Sequence, residues 1–154
     1  MSHENRIPMT HVWEHEDTSR IPFWAYTDED IHKQELEKLF YRNHWCYVGL
    51  EAEIPQPGDF KRTVIGERSV IMVRHEDNSI YVVENVCAHR GMRFCREKHG
   101  NTKSFTCPYH QWNYDLEGNL QGVPFRRGVK QEGKAKGGMP KDFKTSDHGL
   151  TKLL

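Results

Sequence analysis

The sequence lacks any run of 18 apolar residues, the minimum for a helix that crosses a membrane. Met1 to Ser19 holds no apolar core of the kind a secretory signal carries. Cysteine is scarce: four in 154 residues are too few to staple a fold through disulfides. These absences make the cytoplasm the expected compartment, with reduced thiols and no membrane contact. Internal repeats and low-complexity tracts are missing too, leaving about one domain's worth of ordinary chain. An excess of charge is also missing, because 22 Lys and Arg balance 22 Asp and Glu.

That balance hides an asymmetry. Residues 1–86 hold 9 basic and 16 acidic side chains, a net −7. Residues 87–138 hold 10 and 4, a net +6, and the last sixteen hold 3 and 2, a net +1. No aromatic-interleaved basic helix accompanies the basic part, so no nucleic acid is expected. A basic surface suits an acidic protein partner instead.

What is present is concentrated between Val86 and Tyr114. Cys87-Ala88-His89-Arg90-Gly91 is followed by Cys107-Pro108-Tyr109-His110-Gln111-Trp112. Each half supplies one thiol and one imidazole, Cys-x-His and then Cys-x-x-His. Two Cys and two His in paired short loops form a metal site on spacing alone. A structural zinc and a Rieske [2Fe–2S] cluster are the candidates. Zinc fingers group like ligands together, whereas each loop here mixes the two kinds. Cys87 and Cys107 would then bind one iron, and His89 and His110 the other. Two ferric ions, two sulfides and two thiolates sum to zero charge. Such a cluster accepts an electron more readily than a four-Cys one. Cys46 and Cys95 remain as plain thiols.

Around these loops the chain reads as short strands. Residues 1–19 are a polar tail. Within it His11 and His15, four apart around Glu14, are only a weak candidate metal pair. Thr27 is the expected cap of a helix running to about Tyr41, with Asp28, Glu29 and Asp30 in its first turn. Ile31, Leu36, Leu39 and Phe40 form its apolar stripe. Trp45 to Leu50, Phe60 to Ile65, Ser69 to His75 and Ile80 to Val86 read as strands. Lys98 to Asn101 reads as a turn. Ser104 to Thr106, Trp112 to Leu116 and Leu120 to Val123 are further strands, and Arg126 to Gly138 a Lys/Gly-rich exposed loop. The spacing predicts an antiparallel β-sandwich or barrel.

The two loops resemble the Rieske motif of aromatic ring-hydroxylating oxygenase large subunits. Phe23-Trp24-Ala25-Tyr26-Thr27, His44-Trp45, Pro57-Gly58-Asp59-Phe60 and Pro124-Phe125-Arg126-Arg127-Gly128 are similar to that family too. The resemblance covers about residues 20–154 and is strongest to the salicylate 5-hydroxylase and anthranilate dioxygenase group.

That resemblance implies a mostly β, Rieske-type sandwich or barrel with an N-terminal α-helix and a cluster-binding subdomain. It implies a 1–19 tail and a 20–154 Rieske domain ending at the start of a catalytic domain. It assigns Cys87, His89, Cys107 and His110 to a [2Fe–2S] cluster. The implied function is relay of electrons from a ferredoxin or ferredoxin reductase to a mononuclear Fe(II). That iron hydroxylates an aromatic acid such as salicylate, and no second ligand triad remains here to hold it. A small subunit and a large-subunit trimer are the implied assembly. A stand-alone Rieske ferredoxin is the alternative.

By comparison with respiratory Rieske proteins, a bracing disulfide would fall at Met92 and Tyr109, and a Ser donor to sulfide at Trp112. Their absence places the expected potential at the low end, on the order of −150 mV. Arg90, Arg93, Arg96 and Lys98 are the expected steering cations for an acidic donor, beside an exposed cluster tip.

Overall fold

A computed structural model of the chain describes residues 11–13, 17, 19–42 and 44–153. These fall into two compact units divided between Trp45 and Cys46.

In the first unit, helix α1 spans Trp24–Thr27 and α2 spans Glu29–Glu35, running into a π turn over Leu36–Phe40. The expected cap is displaced by one residue. Asp28 caps α2, its carboxylate accepting from the Asp30 and Ile31 amides at 2.9 Å. Those amides and the charge of His11 hold the Asp28 carboxyl below its ordinary range, the Ile31 bond contributing most. Thr27 cannot cap because it closes α1, where its hydroxyl donates back to the Phe23 carbonyl. His11 sits 3.0 Å from Asp28 and packs its ring on Trp24. His15, its partner in the weak metal pair, lies outside the described residues, as does most of the expected tail.

The second unit is built from antiparallel ladders. Strands β1 (Asp59–Ile65), β2 (Arg68–Arg74) and β3 (Ile80–Glu84) form a meander. Strand β4 (His99–Asn101) pairs with β1, and β10 (Lys152–Leu153) pairs with β3. The five-stranded order is β10-β3-β2-β1-β4. A second sheet holds β5 (Phe105–Thr106), β6 (Asn113–Tyr114) and β7 (Leu120–Gly122) in sequence order. Strands β8 (Val129–Gln131) and β9 (Lys134–Lys136) make a separate hairpin.

The core joins the two sheets. Phe60, Ile71, Val73 and Val83 of the large sheet share one buried cluster with Phe105, Tyr114 and Leu120 of the small one. Phe60 meets Phe105 edge-on at 5.5 Å, and Phe94 stacks on Tyr114 at 5.8 Å. The central strand β2 is buried on both faces from Ser69 to Arg74. Arg74 is buried because its guanidinium donates to the Ile54 and Asn78 carbonyls and pairs with Glu51.

Three local expectations change. Trp45 to Leu50 is not in a ladder, because β4 and β10 already occupy the places beside β1 and β3. Lys98 to Asn101 is not a turn: His99–Asn101 is strand β4, paired with β1. The exposed segment after Arg126 is not a loop throughout, since Val129–Gln131 and Lys134–Lys136 form a hairpin.

Candidate metal centre

The two Cys/His loops are structural twins. In the first, the Gly91 amide donates to the Cys87 carbonyl at 2.9 Å, and the Cys87 amide to the Met92 carbonyl at 2.9 Å. In the second, the Gln111 amide donates to Cys107 at 2.9 Å, and the Cys107 amide to Trp112 at 2.8 Å. Both turns need a left-handed residue at the same place. Gly91 supplies φ 71° freely, while Gln111 adopts φ 57° with a side chain. The second loop is the tip of the β5–β6 hairpin, and the first leaves the end of β3. Each loop thus hangs from a different sheet over the shared core.

The donors come together as two pairs, thiol with thiol and imidazole with imidazole. Cys87 and Cys107 are almost fully buried, at 2% and 1% exposure. The His89 and His110 rings face one another edge-on at 4.7 Å. His89 is half-buried and stacks on the Trp112 indole at 4.7 Å, nearly parallel at 14°. Its Nδ1 is buried with no hydrogen-bond partner. A buried imidazole nitrogen left open is costly unless something binds it, and a metal is the natural occupant. His110 is exposed. The expected bare tip is therefore half right, because Trp112 covers one face of His89.

Electrostatics agree. Burial pushes the Cys87 thiol up, the Tyr114 hydroxyl opposes this, and the neighbouring Cys107 thiol adds to the rise. A thiolate at Cys87 therefore needs a strong positive partner such as iron. Burial, then the charges of His110 and Arg90, pull His89 down, favouring the neutral imidazole that ligates metal. Two thiols and two imidazoles are the donor types that a Rieske [2Fe–2S] cluster takes, one pair at each iron, so the donor set fits that group.

Two supporting residues carry no sequence signal of their own. Tyr114 is fully buried, with its hydroxyl 3.2 Å from Cys87 Sγ and accepting from the Ala88 amide at 3.1 Å. Burial, followed by the adjacent Cys87, raises this phenol well above its ordinary range. Asn85 is 1% exposed. Its amide donates to the Cys95 carbonyl at 2.7 Å and accepts from the Cys95 amide at 2.9 Å. It clamps the two ends of the first loop. Neither reads as special in sequence, since Tyr and Asn occur in strands and turns everywhere.

The remaining candidates lie apart. His99 is exposed on β4, and Cys95 is a half-buried thiol raised by burial. Arg90, Arg93, Arg96 and Lys98 are exposed.

Comparison with known proteins gives the same reading. The Rieske [2Fe-2S] domain family matches residues 44–132. The chain is 77% identical over 147 residues to the large oxygenase component of salicylate 5-hydroxylase from Ralstonia sp, covering 96% of this chain and 35% of that protein. It is 48% identical over 139 residues to the anthranilate 1,2-dioxygenase large subunit of Burkholderia cepacia, covering 90% and 32%. The chain spans about a third of the length of these curated relatives. A crystal structure of naphthalene 1,2-dioxygenase from Rhodococcus sp. superposes with TM-score 0.69 at 37% identity, over 81% of this chain and 26% of that one. The matched loops, the antiparallel sheets and the paired donors agree: the chain belongs to the Rieske [2Fe-2S] domain family.

Proposed function

We propose that Cys87 and Cys107 hold one iron of a [2Fe–2S] cluster and that His89 and His110 hold the other. The unpartnered, buried Nδ1 of His89, whose ring stands 4.7 Å from that of His110, is the observation that carries this assignment. The cluster supplies one-electron chemistry when bound. The chain's own residues set its surroundings. The buried Cys pair excludes water, Trp112 fixes the His89 ring plane, and Tyr114 braces Cys87.

On this reading residues 20–154 form the electron-relay domain of a ring-hydroxylating oxygenase large subunit. A ferredoxin or ferredoxin reductase reduces it. It passes the electron to a mononuclear Fe(II) held by residues outside this sequence, which hydroxylates an aromatic acid such as salicylate. Identity to the salicylate and anthranilate enzymes supports this substrate class. A small subunit and a trimer of large subunits complete the assembly. The cytoplasm is the proposed compartment, and no helix among the described residues is long and apolar enough to cross a membrane.

The test is Cys107→Ser in protein purified without oxygen. The unaltered protein should be red-brown with two irons and two sulfides per chain, and the variant should lose the chromophore. A colourless protein carrying zinc would overturn the assignment.

A further inference from the structure

A chain of aromatic rings leads away from His89. Trp112, 4% exposed, stacks on His89. Its indole meets Phe143 edge-on at 5.9 Å and His148 edge-on at 5.9 Å. Phe143 and His148 stack on each other at 4.6 Å, tilted by 9°. Arg126 covers Phe143, its guanidinium 5.6 Å from the ring centre and donating to the Phe143 carbonyl at 3.0 Å. Beyond Trp112, nothing in the ligand assignment requires this ladder. It runs from the interior to the segment from Arg126 to Lys144.

That segment is the most cationic stretch of the chain. It carries seven Lys and Arg against Glu132 and Asp142, a net +5. All seven cations are exposed, and none is ion-paired among the described residues. Unpaired cations on a rigid frame attract an acidic surface at long range. The frame is rigid at its base, where the Met139 amide donates to the Arg126 carbonyl at 3.0 Å. There Gly138, at φ 96°, leaves room only for a hydrogen, since a Cβ would lie 2.6 Å from the Gly128 nitrogen. Beside it a hollow of about 460 Å³ is lined by Arg126, Arg127, Met139, Lys141 and Phe143. Cations thus rim an opening with Phe143 in its wall.

We propose that an acidic one-electron donor protein docks on the Arg126–Lys144 segment, and that its electron reaches the His89 side of the cluster through Phe143 and Trp112. This rests on the Rieske reading of the site. Electron tunnelling weakens steeply with each gap, and packed rings in contact bridge it better than solvent does. The donor loses one electron and one ferric ion becomes ferrous, with no bond or proton transferred. The cations near the first loop then contribute general attraction rather than the docking surface. His110, exposed on the other side of the pair, stays clear for the onward acceptor.

The probe is an acidic plant-type [2Fe–2S] ferredoxin. Its oxidised form is titrated into the cluster-loaded protein by calorimetry, and its reduced form is mixed by stopped flow. Lys130→Glu with Lys134→Glu and Lys136→Glu should weaken binding by about tenfold or more at low salt and flatten the salt dependence. Arg93→Glu with Arg96→Glu should change affinity by less than about twofold. Phe143→Leu should keep the cluster potential and slow transfer within the saturated complex by about tenfold, as a lost tunnelling bridge would, whatever it does to affinity. Trp112→Leu should slow it further, with Trp112→Phe restoring most of the rate. Unchanged affinity in the hairpin variant, as when other chain covers this face, would overturn the docking site. A larger loss in the Arg93/Arg96 variant would do the same. Transfer in Phe143→Leu as fast as in the unaltered protein would overturn the route. The visible spectrum of each variant reports separately whether the Rieske reading itself stands.

Discussion

The Tyr114 hydroxyl lies 3.2 Å from Cys87 Sγ while accepting the Ala88 amide at 3.1 Å. Its lone pair is engaged by the backbone, so its proton is free to point at sulfur. A donor to a ligating thiolate stabilises the electron-rich, reduced state. Tyr114→Phe should therefore lower the potential by roughly 50 mV, the equivalent of about one hydrogen bond in a one-electron couple. Redox titration of both proteins checks this. An unchanged potential would mean that the hydroxyl braces the loop without tuning the cluster. The expectation of a potential at the low end counted only missing donors, and Tyr114 is one that is present.

Asn85 makes a two-way amide clamp on Cys95, closing the first loop at its base. Asn85→Ala would leave the half-buried Cys95 amide and carbonyl without the Asn85 partner. We expect a loss of about 2 kcal/mol of stability, from two such part-buried bonds. Thermal unfolding of the cluster-loaded protein measures it. A loss under about 1 kcal/mol would show that water replaces the clamp.

Gln111 occupies the left-handed position that Gly91 fills in the twin loop. A side chain there costs about 1 kcal/mol or more relative to glycine, partly offset by the greater freedom of unfolded glycine. Gln111→Gly should leave stability equal or raise it by up to about 1 kcal/mol in denaturant melts. A clear loss would reveal a role for the Gln111 side chain beyond the turn.

Removing the iron should loosen one part of the second unit before the rest. Besides the metal, the two loops have their own four backbone bonds and the contacts of Tyr114 and Asn85, while β1, β2 and β3 pair along most of their lengths. Metal binding is coupled to folding where the ligands lie in loops. Hydrogen exchange after iron removal should therefore quicken at residues 87–92 and 107–112 and stay slow in β2. Uniform quickening would mean that the cluster holds the whole unit together.

Much of this was legible in the sequence, for reasons that differ by residue. Cys87, His89, Cys107 and His110 stand out because few other roles put a thiol and an imidazole two or three places apart, twice. Strands β1 to β3 were legible because their apolar runs are bounded by Gly66 and by Asp77-Asn78, which turn chains on local chemistry alone. Asp28 replaced Thr27 as the cap because α1, which has no apolar periodicity to announce it, consumed the Thr27 hydroxyl. Strand β4 was hidden because His99, Gly100 and Asn101 are turn-forming types drawn into a ladder by β1. Trp112 read as part of a strand, and only three-dimensional packing shows it lying on His89. Tyr114 and Asn85 were invisible for the same reason: their roles depend on partners 27 and 10 residues away.

The most direct test of the account is pulsed electron paramagnetic resonance on the reduced protein grown with histidine labelled by ¹⁵N at Nδ1. Two inequivalent nitrogens strongly coupled to the cluster spin are predicted, one from half-buried His89 and one from exposed His110. His89→Ser should remove one coupling or the whole signal. A cluster signal with no labelled nitrogen coupled to it would contradict the assignment of the two histidines to one iron.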